Sequence, residues 1–280
     1  MAKILETRRL TPITKLFVVD APLIAGAAQP GQFVILRVRD GGERIPVTIA
    51  DYDRAAGTIT IVVQEVGVTT RLVNRLDAGN EILDVVGPLG TPVEIPAGGH
   101  VVGVGGGFGA AALLCLMREL SARGDRTTSL VAARTKDLLI LVDELRKVST
   151  NVELCTDDGS VGYHGLVTGR LAELIAGKGP GRPDHVIAIG PEVMMRAVAE
   201  ATRPEKIHTL VSMDPLMIDG TGMCGGCRVI VGGESKFACV DGPCFDAHQV
   251  DFAVAMRRVK AYASEEKLAA ERLAAAAGGR

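Results

Sequence analysis

Short apolar runs rich in β-branched residues, each cut off by Gly, Pro or Asp, fill the first third of the chain. Residues 33–38, 45–49 and 58–63 are the clearest. Such residues suit a pleated, half-buried surface. The pattern predicts antiparallel strands of a small barrel or sandwich, with one short helix at 70–76. Pro88, Gly90, Pro92, Pro96, Gly98 and Gly99 then punctuate the chain as a domain boundary does.

From His100 the rhythm changes. Strand-like runs at 101–104, 130–133, 152–155 and 185–189 alternate with helix-like runs at 110–120, 138–148, 166–176 and 193–202. Four alternations predict a parallel sheet covered by helices. After a further strand-like run at 208–213 the rhythm breaks. Residues 219–251 are rich in Gly and Cys, with one predicted hairpin, 228–231 against 236–239. From Phe252 the composition turns helical, and 271–280 are expected to fray. The expected organisation is a barrel domain at 1–96, an α/β domain at 97–211, a cysteine module at 212–252 and a helical tail at 253–280.

Composition narrows the function. The 280 residues are 47% hydrophobic and 23% charged, which places the chain among globular proteins. Lys+Arg 31 against Asp+Glu 33 gives a net charge of -2, and aromatics are 3% with no Trp. Neither a polyanion-binding face nor a base-stacking platform follows, so nucleic acid is not an expected partner. The longest uncharged apolar run, 101–117, is broken by five glycines and reads as strand, turn and helix instead of a membrane span. Residues 1–10 mix charges and lack an apolar core, so the expected location is the cytoplasm.

Four of the six cysteines fall between Cys224 and Cys244, while Cys115 and Cys155 lie in apolar runs as expected buried residues. The spacing is D-x4-C-x2-C-x11-C, through Asp219, Cys224, Cys227 and Cys239. Glycines 220, 222, 225 and 226 let the backbone wrap a compact charged object and aim N–H groups at it. An iron–sulfur cluster asks for that combination. The alternatives are a structural zinc held by Cys224, Cys227, Cys239 and Cys244, or a redox dithiol, which lacks its usual helix-start context here. A second motif, residues 101–110, follows a strand and opens a helix. Its glycines, Gly105, Gly106, Gly107 and Gly109, would offer free N–H groups to a pyrophosphate, or form a plain tight turn. Gly190, Pro191 and Met194 follow a strand end, where open parallel sheets bind ligands. Arg44 with Pro46, Val47 and Thr48 on a barrel strand, and Gly67 with Thr69 and Thr70 before a short helix, complete the set of phosphate-binding candidates.

In this order the pieces resemble the ferredoxin–NADP reductase superfamily. Within it they resemble the electron-transfer subunits of NADH-dependent reduced ferredoxin:NADP oxidoreductase (also described as sulfide dehydrogenase) and of dihydroorotate dehydrogenase. The resemblance spans about residues 3–258 and is most specific at 217–229 and 237–243. It implies an antiparallel flavin-binding β-barrel, a parallel-sheet nucleotide-binding α/β domain and a small 2Fe-2S module. It assigns Arg44, Pro46, Val47, Thr48, Gly67, Thr69 and Thr70 to FAD. Gly105, Gly106, Gly107, Gly109, Gly190, Pro191 and Met194 go to the nicotinamide nucleotide, NAD(H) or NADP(H). Arg134 and Lys136 stand where a cation for NADP is expected, yet the resemblance favours NAD(H). It further implies a larger flavin and iron–sulfur partner subunit, a heterodimer and electron bifurcation; a stand-alone NAD(P)H reductase and a zinc-stapled nucleotide sensor are the other readings. No acid–base dyad or nucleophile is called for.

Three departures from the resemblance bear on this. The flavin strand lacks the aromatic of an R-x-Y-S motif, Ile189 stands where a Cys often precedes G-P, and Asp219 stands where the dihydroorotate-type module has Cys. The bifurcating type carries Asp at that place, which favours Asp219 over Cys244 as fourth cluster ligand.

Overall fold

The computed structural model describes residues 1–259 and 261–278. Strands β1 (Ala2–Thr11) and β2 (Thr14–Asp20) form a hairpin, followed by helix α1 (Pro22–Ala27). Then come β3 (Phe33–Arg37), β4 (Ile45–Asp53), β5 (Thr58–Gln64), α2 (Val68–Asn74), β6 (Glu81–Ile82) and β7 (Asp84–Leu89). The sheet order is β6-β1-β2-β5-β4-β3-β7, antiparallel throughout. Its first and last strands are joined by Leu83 alone, so the sheet returns on itself as a nearly closed barrel. Alternate residues point inward: Val34, Leu36, Val47, Ile49, Ile59 and Ile61 fill the barrel with Phe17. Each such buried side chain contributes roughly 1.5–3 kcal/mol over leaving it in water.

The second sheet begins at β8 (His100–Gly106), followed by α3 (Ala110–Ala122), β9 (Arg126–Ala133), α4 (Val142–Val148), β10 (Asn151–Thr156), β11 (Tyr163–His164) and α5 (Val167–Ile175). It continues through β12 (His185–Ile189), α6 (Glu192–Thr202) and β13 (His208–Ser212). The order is β11-β10-β9-β8-β12-β13, all parallel. Helices α5 and α6 cover one face and α3 and α4 the other. Helix α4 starts four residues later than the pattern predicts, because Leu141 adopts a left-handed conformation (φ 55°) that interrupts a helix. The outer barrel strands β1, β2, β6 and β7 carry too mixed a pattern to stand out in the sequence.

Beyond β13 the cysteine module contributes a hairpin, β14 (Arg228–Val231) with β15 (Glu234–Phe237). Its second strand starts two residues before the predicted one. Gly232 and Gly233, both at positive φ, make a two-residue turn that pairs Val231 with Glu234. Strand β16 (Cys244–Asp246) then joins the parallel sheet as an antiparallel edge beside β13, so this sheet takes its last strand from beyond residue 211. Helix α7 (Phe252–Val259) buries Phe252 and Ala255, and α8 (Ala263–Gly278) runs on against α2. Helix α8 reaches Gly278, and residues 279–280, the end of the stretch expected to fray, lie outside the described residues. No helix among the described residues is long and apolar enough to cross a membrane.

Candidate functional site

A cleft of about 800 Å³ opens where barrel, parallel sheet and cysteine module meet. The barrel lends it Pro46, Val47 and Thr48 of β4. Strand β4 presents Val47 inward and the flanking residues half-exposed, the alternation expected of a strand. The glycine turn lends Gly106, Gly107 and Gly109, and the β12–α6 turn lends Gly190, Pro191 and Met194. Nine residues singled out in the sequence thus share one cavity, at the carboxyl ends of the parallel strands.

The glycines there have separate reasons. Gly107 is left-handed (φ +55°) and has open space where a Cβ would stand, so its backbone is free for a ligand to approach. Gly109 lies so close to β12 that a Cβ would stand 2.0 Å from the Ile189 carbonyl oxygen. Gly106 faces Met194 and Pro191, where a Cβ would lie 2.5 Å from the Met194 sulfur. Gly105 is a packing residue: its Cβ would meet Ala110 at 2.7 Å, and it does not line the cleft.

The remaining flavin candidates lie outside the cavity. Arg44 is exposed, in the approach to β4. At the start of α2, Thr70 accepts the Gly67 N–H at 2.9 Å, and the buried Thr69 hydroxyl donates to Glu43. Arg134 lines the cleft, but Asp157 lines it too and sets a negative charge at the same end.

Several lining residues were not read from the sequence. Thr11, Ile13 and Thr14 at the β1–β2 turn, Phe33 and Gln64 extend the barrel wall, and Met213, Asp214 and Met217 come from beyond β13. The rule that ligands bind beyond the ends of parallel strands points to Met213 and Asp214 once β13 is recognised. Asp214 is exposed on the cleft, yet the surrounding walls desolvate its carboxyl and push its pKa up to about 6, with Glu192 adding in the same direction.

The cysteine loop packs against the barrel. A Cβ on Gly220 would lie within 3 Å of Leu89 and Ile35, and Thr91 donates to the carbonyls of Gly242 and Val240 at 2.6 and 2.8 Å. The candidate ligands fall into two pairs. Asp219 accepts the Cys224 backbone N–H at 2.7 Å and lies beside its thiol. Cys227 and Cys239 are buried with their sulfurs 3.2 Å apart. Backbone donation from Thr221, then Cys224, holds the Asp219 carboxyl below the usual carboxylate range. Burial, then Cys227, pushes the Cys239 thiol up to about 12. Among the described residues no three such side chains form a single-ion site. Two pairs fit a two-iron cluster, one pair to each iron, better than one zinc with four ligands round a point.

Cys244 stands apart. On β16 it faces the sheet side of α3 and α4, while its neighbour Phe245 faces the side that holds Cys227 and Cys239. Strand alternation therefore turns its sulfur away from the pairs. Burial pushes this thiol up to about 12.

A barrel and a parallel-sheet domain sharing one cleft, with a ligand loop against the barrel wall, define the fold of the ferredoxin–NADP reductase type. A ferredoxin NADP+ reductase from Neisseria gonorrhoeae shares that fold: TM-score 0.57, 19% identity, over 72% of this chain and 89% of that one. The chain belongs to the family of dihydroorotate dehydrogenase B (NAD(+)) electron transfer subunits. A Thermotoga maritima homolog of that subunit is 44% identical over 262 residues, 94% of this chain and 92% of its own. Residues 214–251 match the family described as the iron-sulfur cluster binding domain of dihydroorotate dehydrogenase B. A chain in a structure of NADH-dependent reduced ferredoxin-NADP oxidoreductase, solved in a study of flavin-based electron bifurcation, superposes with TM-score 0.90 at 40% identity, covering 98% of both chains. The protein is thus an electron-transfer oxidoreductase.

Proposed function

We propose that this chain is the FAD- and 2Fe-2S-carrying subunit of an electron-bifurcating, NADH-dependent ferredoxin:NADP oxidoreductase, working in the cytoplasm with a larger flavin and iron–sulfur subunit. The observation that carries the reading is the shared cleft, in which the β4 strand, the glycine turn and Met217 beside the cysteine loop face one cavity. When bound, FAD supplies the exchange between two-electron and one-electron transfer, and the cluster supplies single-electron transfer. The chain's own residues position these groups. Pro46, Val47 and Thr48 form the barrel wall for the flavin. The open backbone at Gly107 and the close approach at Gly109 make room for a nicotinamide nucleotide against the sheet end. Asp219, Cys224, Cys227 and Cys239 would hold the cluster. With Ile189 before Gly190, no thiol stands at that turn. Asp157 beside Arg134 favours NAD(H), since a second phosphate there meets a carboxylate as well as a cation.

A second reading, the electron-transfer subunit of a dihydroorotate dehydrogenase-type complex, has the family match at 214–251 in its favour. Asp219 favours the first, because the dihydroorotate-type module carries Cys there. The test is anaerobic purification with a visible spectrum, EPR, and iron and flavin counted per chain. One FAD, two irons and a reduced-state 2Fe-2S signal are expected. Zinc without iron, or no flavin, would sink both readings.

A further inference from the structure

The barrel and the parallel-sheet domain also meet away from the cleft, where β4 lies on α3. Both elements begin at the cleft. Pro46, Val47 and Thr48 of β4 line it, and α3 opens directly after Gly107 and Gly109, which line it too. Further along, the Cys115 thiol donates to the Ile49 carbonyl at 3.4 Å, and Ala50 shares an apolar cluster with Ala111 and Leu114 of α3. Cys115, Arg118 and Glu119 follow at i, i+3 and i+4, which places them on one helix face. A bulge in β4 precedes the residues they meet. Ile49 pairs with Ile61 and Asp51 with Thr60, so Ala50 is one residue too many for β5, and a bulge of that kind re-aims the side chains beyond it.

Those side chains are Asp51 and Tyr52, and Arg118 ties them to α3. It pairs with the Asp51 carboxylate, donates to the Tyr52 carbonyl at 3.3 Å and donates to Glu119 at 3.2 Å. Glu119 in turn accepts from the Tyr52 hydroxyl at 3.2 Å. The guanidinium carbons of Arg54 and Arg118 lie 4.7 and 4.8 Å from the Tyr52 ring centre, and Arg54 donates on to the Ala28 carbonyl at 2.8 Å. Burial raises the pKa of Asp51 while Arg118 pulls it down. A half-buried pair of this kind contributes little net stability. It does fix geometry, because a planar guanidinium bonded along several edges holds its partners in one arrangement. Asp51 stands about 10 Å along the strand from Thr48, and Arg118 about 13 Å along the helix from Gly109. The two arms are rigid and of similar length, so a shift between them at this clamp reappears at the cleft.

We propose that Asp51, Tyr52, Arg118 and Glu119 are positioning residues for hydride transfer: their clamp sets how the flavin wall on β4 stands against the nucleotide turn at the head of α3. The inference rests on the flavoprotein reading above, in which NADH gives up a hydride and leaves as NAD+ while FAD gains both electrons. None of the four residues lines the cleft. Cutting the clamp therefore leaves each ligand its own contacts and changes only their mutual placement. A misplacement of about 1 Å can cost a reaction roughly 10²-fold.

The test compares the full chain with Arg118→Met, Arg118→Lys and Tyr52→Phe, all anaerobically reconstituted. Titrations read affinity for FAD and for NAD+, stopped-flow absorbance reads the NADH–FAD charge-transfer band and flavin reduction, and hydrogen exchange of the FAD-free chains reads the clamp itself. Arg118→Met should leave both affinities within about twofold. At saturating NADH it should weaken the charge-transfer band and slow flavin reduction roughly tenfold or more. Exchange should quicken at 46–53 and 107–119 and stay level in the rest of both sheets. Arg118→Lys keeps the charge without the planar fork and should fall between; Tyr52→Phe loses only the bond to Glu119 and should show the smallest effect in the same direction. If Arg118→Met does not fold, the other two variants carry the comparison. Flavin reduction at the full-chain rate in every folded variant would overturn the inference and leave the flavoprotein reading standing. So would a loss of rate matched by equal losses of both affinities and of melting temperature, since the clamp would then support the fold alone. A full chain that takes up no FAD would overturn both.

Discussion

Asp219 and Cys244 competed for one role on chemical grounds, and position separates them. Thiolate is the softer ligand for iron, yet Cys244 is turned to the opposite face of the sheet from Cys227 and Cys239. Cys244→Ala should therefore keep two irons per chain, a result read by iron analysis. Asp219→Cys should lower the cluster potential, because a thiolate donates more charge to iron than a carboxylate. A redox titration followed by EPR would refute the assignment if the potential stayed level or rose. Asp214 carries a second residue-scale prediction. Its carboxyl, exposed on the cleft yet raised to about 6 by the desolvating walls around it and by Glu192, is neutral below that pH and charged above it. The charge appears in the cavity that would receive an anionic nucleotide. Affinity for NADH should fall as pH rises through about 6, and Asp214→Asn should flatten that slope. Fluorescence titrations at pH 5.5 and 7.5, roughly half a unit below and well above that value, check it.

Where strand meets helix, packing sets the tolerances. Helix α3 starts against β12 at Gly109, and any side chain there strikes the Ile189 carbonyl. Gly109→Ala should cost roughly 1–3 kcal/mol, as overpacking does, seen as a lower denaturant midpoint. At the amino ends of the parallel strands, histidines set an acid limit. His100 on β8 is buried; its Nδ1 donates to the Arg182 carbonyl and its Nε2 accepts from the Thr128 hydroxyl. Burial lowers its pKa, and burial also lowers those of His185 and His248. Below the ordinary histidine range, about 6.5, the unfolded chain takes up protons that the native sites resist. Stability is therefore fully present above that pH and is lost as pH falls through it. Thermal melts at pH 7.5 and about 5.5 should show the drop, and His100→Asn should show a shallower one.

Taken whole, the molecule brings three modules to one cavity. Barrel strands β3 and β7 hold the cysteine loop through Gly220, and β16 ties the same loop to the parallel sheet. A cluster held there would sit against the wall that also bounds the cleft, which suits the passage of single electrons between a flavin and an outside partner. Isolation of the untagged protein from its source should bring a larger flavoprotein with it, visible as a second chain on denaturing gels. Purification of the chain alone, active with soluble acceptors, would favour a stand-alone reductase instead.

Much of this was legible in the residues, for a physical reason. Strand and helix periods, glycine turns and cysteine spacing are local, and residues such as Gly107, Cys224 and Cys227 act through neighbours a few positions away. A barrel or sandwich, the parallel sheet, the cysteine module and nine cleft residues follow from such patterns, and the family resemblance chose the barrel. Local pattern also held clues that went unread, as at Gly232-Gly233, whose two-residue turn sets the register of β15. Contacts over long separations were decided by tertiary structure alone. Edge pairing of β16 with β13 chose the face of Cys244, closure of the barrel brought Ile13 and Thr14 to the cleft, and α8 came to rest on α2. Each depends on which surfaces meet when apolar area is buried, and the order of residues along one segment does not carry that information.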